Sequence, residues 1–125
     1  MIKNKKKSKI DYDFNNDNLF VYPKKREPNE YQFSEYVDNI IFDFDKKNKL
    51  IGIEILDASK TLNLSRYKLS FLDKWNFEVI INQEIIKIKI NLKFQVRNKI
   101  NKNSIYIEKL NGSILNSVHM NLAFS

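Results

Sequence analysis

From residue 10 onward, apolar and polar side chains alternate with a period of two over most of the chain. That pattern predicts strands with one buried and one wetter face. Residues 10–14 and 18–22 read as a first hairpin, with "NND" at 15–17 as its turn and Pro23 stopping the run "NLFVYP". After the polar loop "PKKREPNE", residues 31–37 place Tyr31, Phe33 and Val37 on one face, with Glu35 as the exception. In the next hairpin Ile40, Phe42 and Phe44 alternate with Asp43 and Asp45, and Ile51, Ile53 and Ile55 alternate with Gly52 and Glu54. Asn48 stands between them, where a tight turn needs a residue that tolerates positive φ.

"DASKTLNLSRYKLSFLDK" breaks the alternation and predicts a short helical segment around residues 57–72, as one bent helix or two pieces. Asp57 and Ser65 are its candidate caps, and Leu69 and Leu72 recur at the spacing of a buried helical stripe. Strands then resume. Trp75, Phe77, Val79 and Ile81 alternate with polar neighbours, and "EIIKIKINLKFQVR" sets Ile86, Ile88, Ile90, Leu92, Phe94 and Val96 against Lys87, Lys89, Asn91, Lys93, Gln95 and Arg97. A polar loop "NKINKN" at 98–103, the strand "SIYIEKL", an Asn-Gly hairpin signal at 111–112 and a last strand ending at Phe124 complete the series. No βαβ crossover is visible. The expected fold is therefore mainly β (α+β), an antiparallel sheet of hairpins with one short central helical segment.

The chain has 125 residues and no cysteine, which suits one domain held by packing alone and excludes disulfides, thiolate metal sites and Cys nucleophiles. Its apolar runs fall far short of the ~20 residues that cross a bilayer, so the expectation is a cytoplasmic protein with no membrane contact. The formal charge of +7 is uneven. Residues 1–9 carry five lysines and no acid, and read as a disordered basic tail before a single β-rich domain at 10–125. Residues 10–57 sum to −5 and residues 58–125 to +7. Such polarity favours charge-steered pairing with a partner or with another copy of the chain.

Candidate chemistry is sparse. The loop with Asp11, Asp13 and Asp17 lacks the central glycine and terminal glutamate of an EF-hand. Asp43 and Asp45 lie ~6–7 Å apart on one strand face, a spacing that can flank a cation, but the preferred reading is turn and solvent-face acids. His119 is the sole histidine and sits on the polar side of the last strand. The two glycines, Gly52 and Gly112, are too distant to form a phosphate loop. No catalytic residue, metal ligand or cofactor site is expected, and the chain is not read as an enzyme. Lys87, Lys89, Lys93 and Arg97 form a basic ladder suited to nucleic-acid or partner contact. Phe94 falls on the opposite face, leaving the ladder without a stacking aromatic.

The phrases "DYDFNNDNLFVY" and "IIFDFDKKNKLIGIEILDAS" resemble a small prokaryotic family, domain of unknown function 2283. Asp17, Leu19, Phe20 and Val21 match its first hairpin, and the run Ile51, Gly52, Ile53, Glu54, Ile55, Leu56, Asp57, Ala58 and Ser59 matches its second. Asn48 replaces the usual turn glycine. The resemblance spans about residues 10–62 and leaves 63–125 without a matching motif. It implies a compact β domain with no assigned catalytic residues, sometimes encoded beside a toxin-like partner. The leading expectation is thus a non-enzymatic domain acting by protein–protein interaction, antitoxin-like or self-associating. Nucleic-acid binding through the lysine tail and residues 87–97 is the alternative.

Overall fold

A chain with two glycines must still reverse direction many times, and here asparagine and aspartate do it. Asp17, Asp38, Asn48, Asp57, Asn63 and Asn98 all hold positive φ, joined only by Arg97 among the described non-glycine residues. Short polar side chains tolerate this left-handed region best after glycine. The computed structural model describes residues 5–23, 31–112 and 118–124. Its elements are β1 (Lys5–Asp13), β2 (Asn18–Pro23), β3 (Tyr31–Val37), β4 (Ile40–Asp45), β5 (Leu50–Ile55), α1 (Ala58–Leu62), α2 (Arg66–Leu69), β6 (Leu72–Ile81), β7 (Ile85–Val96), β8 (Lys99–Leu110) and β9 (Val118–Phe124).

The fold is mainly β. The strands form one curled sheet in the order β3-β4-β5-β2-β1-β9-β6-β7-β8. All pairings are antiparallel except β1 with β9, which run parallel. The sheet is therefore mixed, because the last strand inserts between the first strand and β6 instead of folding back on β8. The Asn111-Gly112 signal accordingly joins no hairpin of neighbours, and residues 113–117 beyond it lie outside the described residues.

Three strands begin earlier than alternation indicates. β6 starts at Leu72, so that leucine opens a strand instead of continuing a helical stripe from Leu69. β1 starts at Lys5, inside the segment read as a disordered tail, because Lys5–Ser8 pair with Asn121–Phe124. Ser8 is buried, donates to the Ala123 carbonyl and accepts from the Trp75 indole nitrogen, at 2.9 and 2.8 Å. β8 starts at Lys99, so most of the expected loop at 98–103 is strand. The reversal is a two-residue turn at Arg97 and Asn98, both at positive φ, the geometry of a type I′ hairpin.

The core-facing sets agree with the alternation. Phe42, Phe44, Ile53, Ile55, Phe77, Ile88, Ile90 and Phe94 are fully or almost fully buried and share one cluster with Leu62 and Leu69 of the two helices. Ser65 caps α2 as expected, accepting from the Lys68 amide at 3.0 Å. Asp57 does not cap α1: its backbone is left-handed and its side chain makes no capping bond.

Asp17 does that work from forty-two residues away. Its carbonyl accepts from the Ala58 amide at 2.8 Å, and its carboxylate accepts from the Ser59 amide at 3.0 Å and the Ser59 hydroxyl at 2.6 Å. The Tyr12 hydroxyl donates to the same carboxylate at 2.6 Å, and Arg66 stands 3.7 Å away. Burial alone pushes the Asp17 carboxyl up, but the Ser59 and Tyr12 bonds and the Arg66 charge outweigh it and hold the group below its ordinary value. The Tyr12 hydroxyl is raised, by burial first and then by Asp17. Replacing Asp17 with alanine strands these donors and should cost about 3 kcal/mol in denaturant unfolding. Because the folded value is depressed, the contribution is full at neutral pH and fades as pH falls below about 4. A deficit constant from pH 7 to strongly acid solution would contradict the ionic part of this account.

Candidate interaction surface

The acids are structural and better covered than alternation suggests. Asp45 accepts from the Lys47 and Lys49 amides at 2.8 and 2.9 Å, so it fastens the β4–β5 turn that Asn48 shapes. Asp43, expected on a solvent face, is 8% exposed. It accepts from the Ser34 hydroxyl at 2.5 Å, and Tyr31 in turn contacts Ser34 at 2.8 Å. β3 is what covers it: pairing of β3 with β4 sets Ser34 opposite Asp43. Gly52 sits across from Asp43 on β5, and a Cβ there would come within 3.3 Å of the Asp43 carboxylate. Of the remaining matched residues, Leu19 and Ala58 are core, Ser59 meets Asp17, and Glu54 shares the polar side of β5. Burial, then the Asp43 charge, raises the Glu54 carboxyl. Among the described residues no group of three metal-capable side chains comes together, and His119 faces Glu78 at 2.9 Å.

The basic ladder behaves differently. Lys87, Lys89 and Lys93 share the polar face of β7, whereas Arg97 leaves the strand and enters the turn. The strand register then divides the face into two ends. Lys87 lies opposite Glu108, and Lys89 lies between Glu78 and Tyr106. Lys93 instead lies between Lys74 of β6 and Lys102 of β8. Like charges directly opposite each other on adjacent strands are unfavourable. Among the described residues none of these three lysines makes an ion pair. They rim a shallow depression of about 260 Å³ whose lining includes Asn76, Asn91 and Ser104. Lys74 and Lys102 escape a reading of the sequence because the first falls in the stretch that breaks the alternation and the second in the expected loop at 98–103, whereas both belong to strands.

β8 is an edge strand. Its partner is β7 on one side, and no described strand pairs with the other. Ile100, Tyr106 and Leu110 project from it at 58, 53 and 82% exposure. Beside its second half runs a groove of about 400 Å³, between Tyr106–Lys109 and a wall of Asp38, Asn39, Ile40 and Thr61. Lys109 bridges to Asp38 at 2.9 Å. Neither described helix is long and apolar enough to cross a membrane.

The described residues thus form a mainly β domain with a covered acidic network, a lysine face and one long edge strand whose outer side no described strand pairs. Comparison with known proteins supplies the family. A family model described as a protein of unknown function, DUF2283, matches residues 9–59. An uncharacterised protein of Methanocaldococcus jannaschii is 39% identical over 95 residues, covering 74% of this chain and 78% of its own. A Methanosarcina mazei protein provisionally named a hypoxanthine phosphoribosyltransferase is 32% identical over 93 residues, covering 74% and 73%. This chain belongs to the DUF2283 family. No solved structure matches it.

The matched segment contains both ends of the Asp17–Ser59 contact and the Asp43–Gly52–Glu54 cluster, so the family resemblance coincides with the buried polar network. Glu54 gives a test of that network. A carboxyl raised on folding weakens the fold as pH climbs past its unfolded value near 4.3. Glu54→Gln should therefore raise the melting temperature at pH 7 and leave it little changed below pH ~4. An equal shift at both pH values would show that ionisation of Glu54 is not the cause.

Proposed function

We propose that the chain is a non-enzymatic, cytoplasmic interaction module that engages a protein partner by strand addition at β8. The observation that carries this reading is the unpaired side of a twelve-residue edge strand bearing exposed Ile100, Tyr106 and Leu110. Open strand edges template pairing through their amides and carbonyls, and flanking side chains set selectivity. The opposite charges of the two halves of the sequence would orient the approach. An antitoxin-like grip on a co-encoded protein is one form of this role. What supports binding over catalysis is that Asp17, Asp43 and Asp45 of the matched segment are engaged with Ser59, Tyr12, Ser34 and turn amides.

Adjacent amides of an edge strand point alternately inward and outward. Proline placed singly at Ser104 and at Ile105 should therefore split into two results. One variant loses a bond to β7 and melts earlier; the other keeps its melting temperature and no longer co-purifies with the neighbouring gene product. Equal capture by both folded variants would reject strand addition.

A second reading, nucleic-acid binding, is favoured by one observation. Tyr106 lies opposite Lys89 and supplies the exposed aromatic that alternation alone leaves out of the face. Anisotropy of a labelled oligothymidylate should then weaken with salt. Joint Lys74→Gln, Lys93→Gln and Lys102→Gln replacement should lower the log–log slope by about 2. No retention at low salt rejects this reading.

A further inference from the structure

We propose that the partner at β8 is a second copy of the same chain, added antiparallel about a twofold axis at Ile105; this rests on strand addition at β8 and names its occupant. Two identical antiparallel strands must pair residues of the same parity, since side chains facing each other lie on one side of the sheet. The register centred on Ile105 is self-complementary along the polar face of the strand. On the polar face it sets Ile100 against Leu110 of the second copy, Lys102 against Glu108, and Ser104 against Tyr106, each contact occurring twice. On the core face Ile105 meets its own counterpart and Asn103 meets Ile107. Centring the pair on Ser104 would instead place Lys102 against Tyr106 and Ile100 against Glu108. Centring it on Tyr106 would place Lys102 against Leu110 and Ser104 against Glu108.

Three features of the isolated chain fit this occupant. The two most exposed aliphatic side chains of the edge, Ile100 and Leu110, are the two that cover each other. Among the described residues the row Lys74, Lys93 and Lys102 has no acid directly across from it, and Glu108 of the second copy would arrive beside Lys102. The groove beside Tyr106–Lys109 lies where residues 101–104 of the added strand would run. The contact is isologous, so it closes as a dimer and leaves no further β8 edge to propagate. It would join two nine-stranded sheets into one continuous sheet.

Charge exchange tests the register. Wild-type chain should sediment as a dimer at about 100 µM, a concentration that populates even a ~10 µM pair. Lys102→Glu and Glu108→Lys each bring like charges together twice, and each should weaken the dimer at least about tenfold. Mixing the two variants should restore pairing, because every charged contact between them is then opposite in sign. The chain has no cysteine, so Ile105→Cys should cross-link to its own counterpart on oxidation, while Asn103→Cys, which faces Ile107, should not. Circular dichroism confirms that each variant is folded. Single variants that dimerise like wild type, a mixture that stays monomeric, or stronger cross-linking at 103 than at 105 would overturn the register. A monomer that still captures its neighbour-encoded partner in the proline-sensitive manner described above would overturn self-pairing and leave strand addition standing. A monomer without such capture would overturn both.

Discussion

Asp17 holds the N-terminal half of the molecule in place. Its carboxylate is buried, an arrangement that costs several kcal/mol when the charge is left without partners. Here it gathers the Ser59 amide and hydroxyl, the Tyr12 hydroxyl and the nearby Arg66 cation. Those contacts tie the β1–β2 turn to the start of α1 and approach α2 at the same point. Because Asp17 immediately precedes β2, the position of that strand is set together with the helical connection. β2 in turn takes β5 on one side and β1 on the other. The segment matched by the family model ends at Ser59, the residue that receives Asp17. The Asp-to-Ser pairing gives the family pattern a physical meaning without requiring any chemistry of it.

The second constraint is the parallel seam. β9 pairs with β1 on one side and β6 on the other, and Ser8 locks the junction by contacting both the Ala123 carbonyl and the Trp75 indole. If the last strand had returned beside its predecessor, β8 would be an interior strand. Because it inserts at the centre of the sheet, β3 and β8 become the two ends. The exposed edge is thus a consequence of the connection that unites the two halves. A fold held by its first and last strands leaves an intermediate one at the edge of the sheet.

Much of this architecture is legible in the sequence, and the failures have specific causes. Alternation locates the core sets of β4, β5, β6 and β7, and the Asn48 turn and the Ser65 cap follow from local chemistry. The start of β1 is hidden because Lys5, Lys6 and Lys7 look like a solvated run, and the fit of Ser8 against Trp75 is a long-range fact. The Arg97-Asn98 reversal is hidden because it uses no glycine, so Lys102 reads as loop. Asp57 carries the residue type of a cap, but a distant carboxylate occupies that role. Asp43 has the polar parity expected of it and is buried only because β3 lies alongside. The lysine ladder is visible by parity, but its division into balanced and unbalanced ends depends on register. That register brings Lys74 and Lys102 to Lys93.

Lysines along an edge ordinarily discourage promiscuous pairing, since a strand that lays itself alongside must find partners for their charge. β8 carries Lys99, Lys102 and Lys109 together with exposed Ile100, Tyr106 and Leu110, so attraction and discouragement occupy the same strand. Under strand addition, such an edge would disfavour a generic strand and favour one whose acid and aliphatic positions fall in step with its own. Only a register that meets Lys102 with a carboxylate and Ile100 with an aliphatic side chain removes both liabilities at once. In β8 the spacing from Ile100 to Lys102 equals the spacing from Glu108 to Leu110, and antiparallel reversal superposes the two. In the proposed self-pairing, the same residues that guard the edge would therefore specify what it accepts.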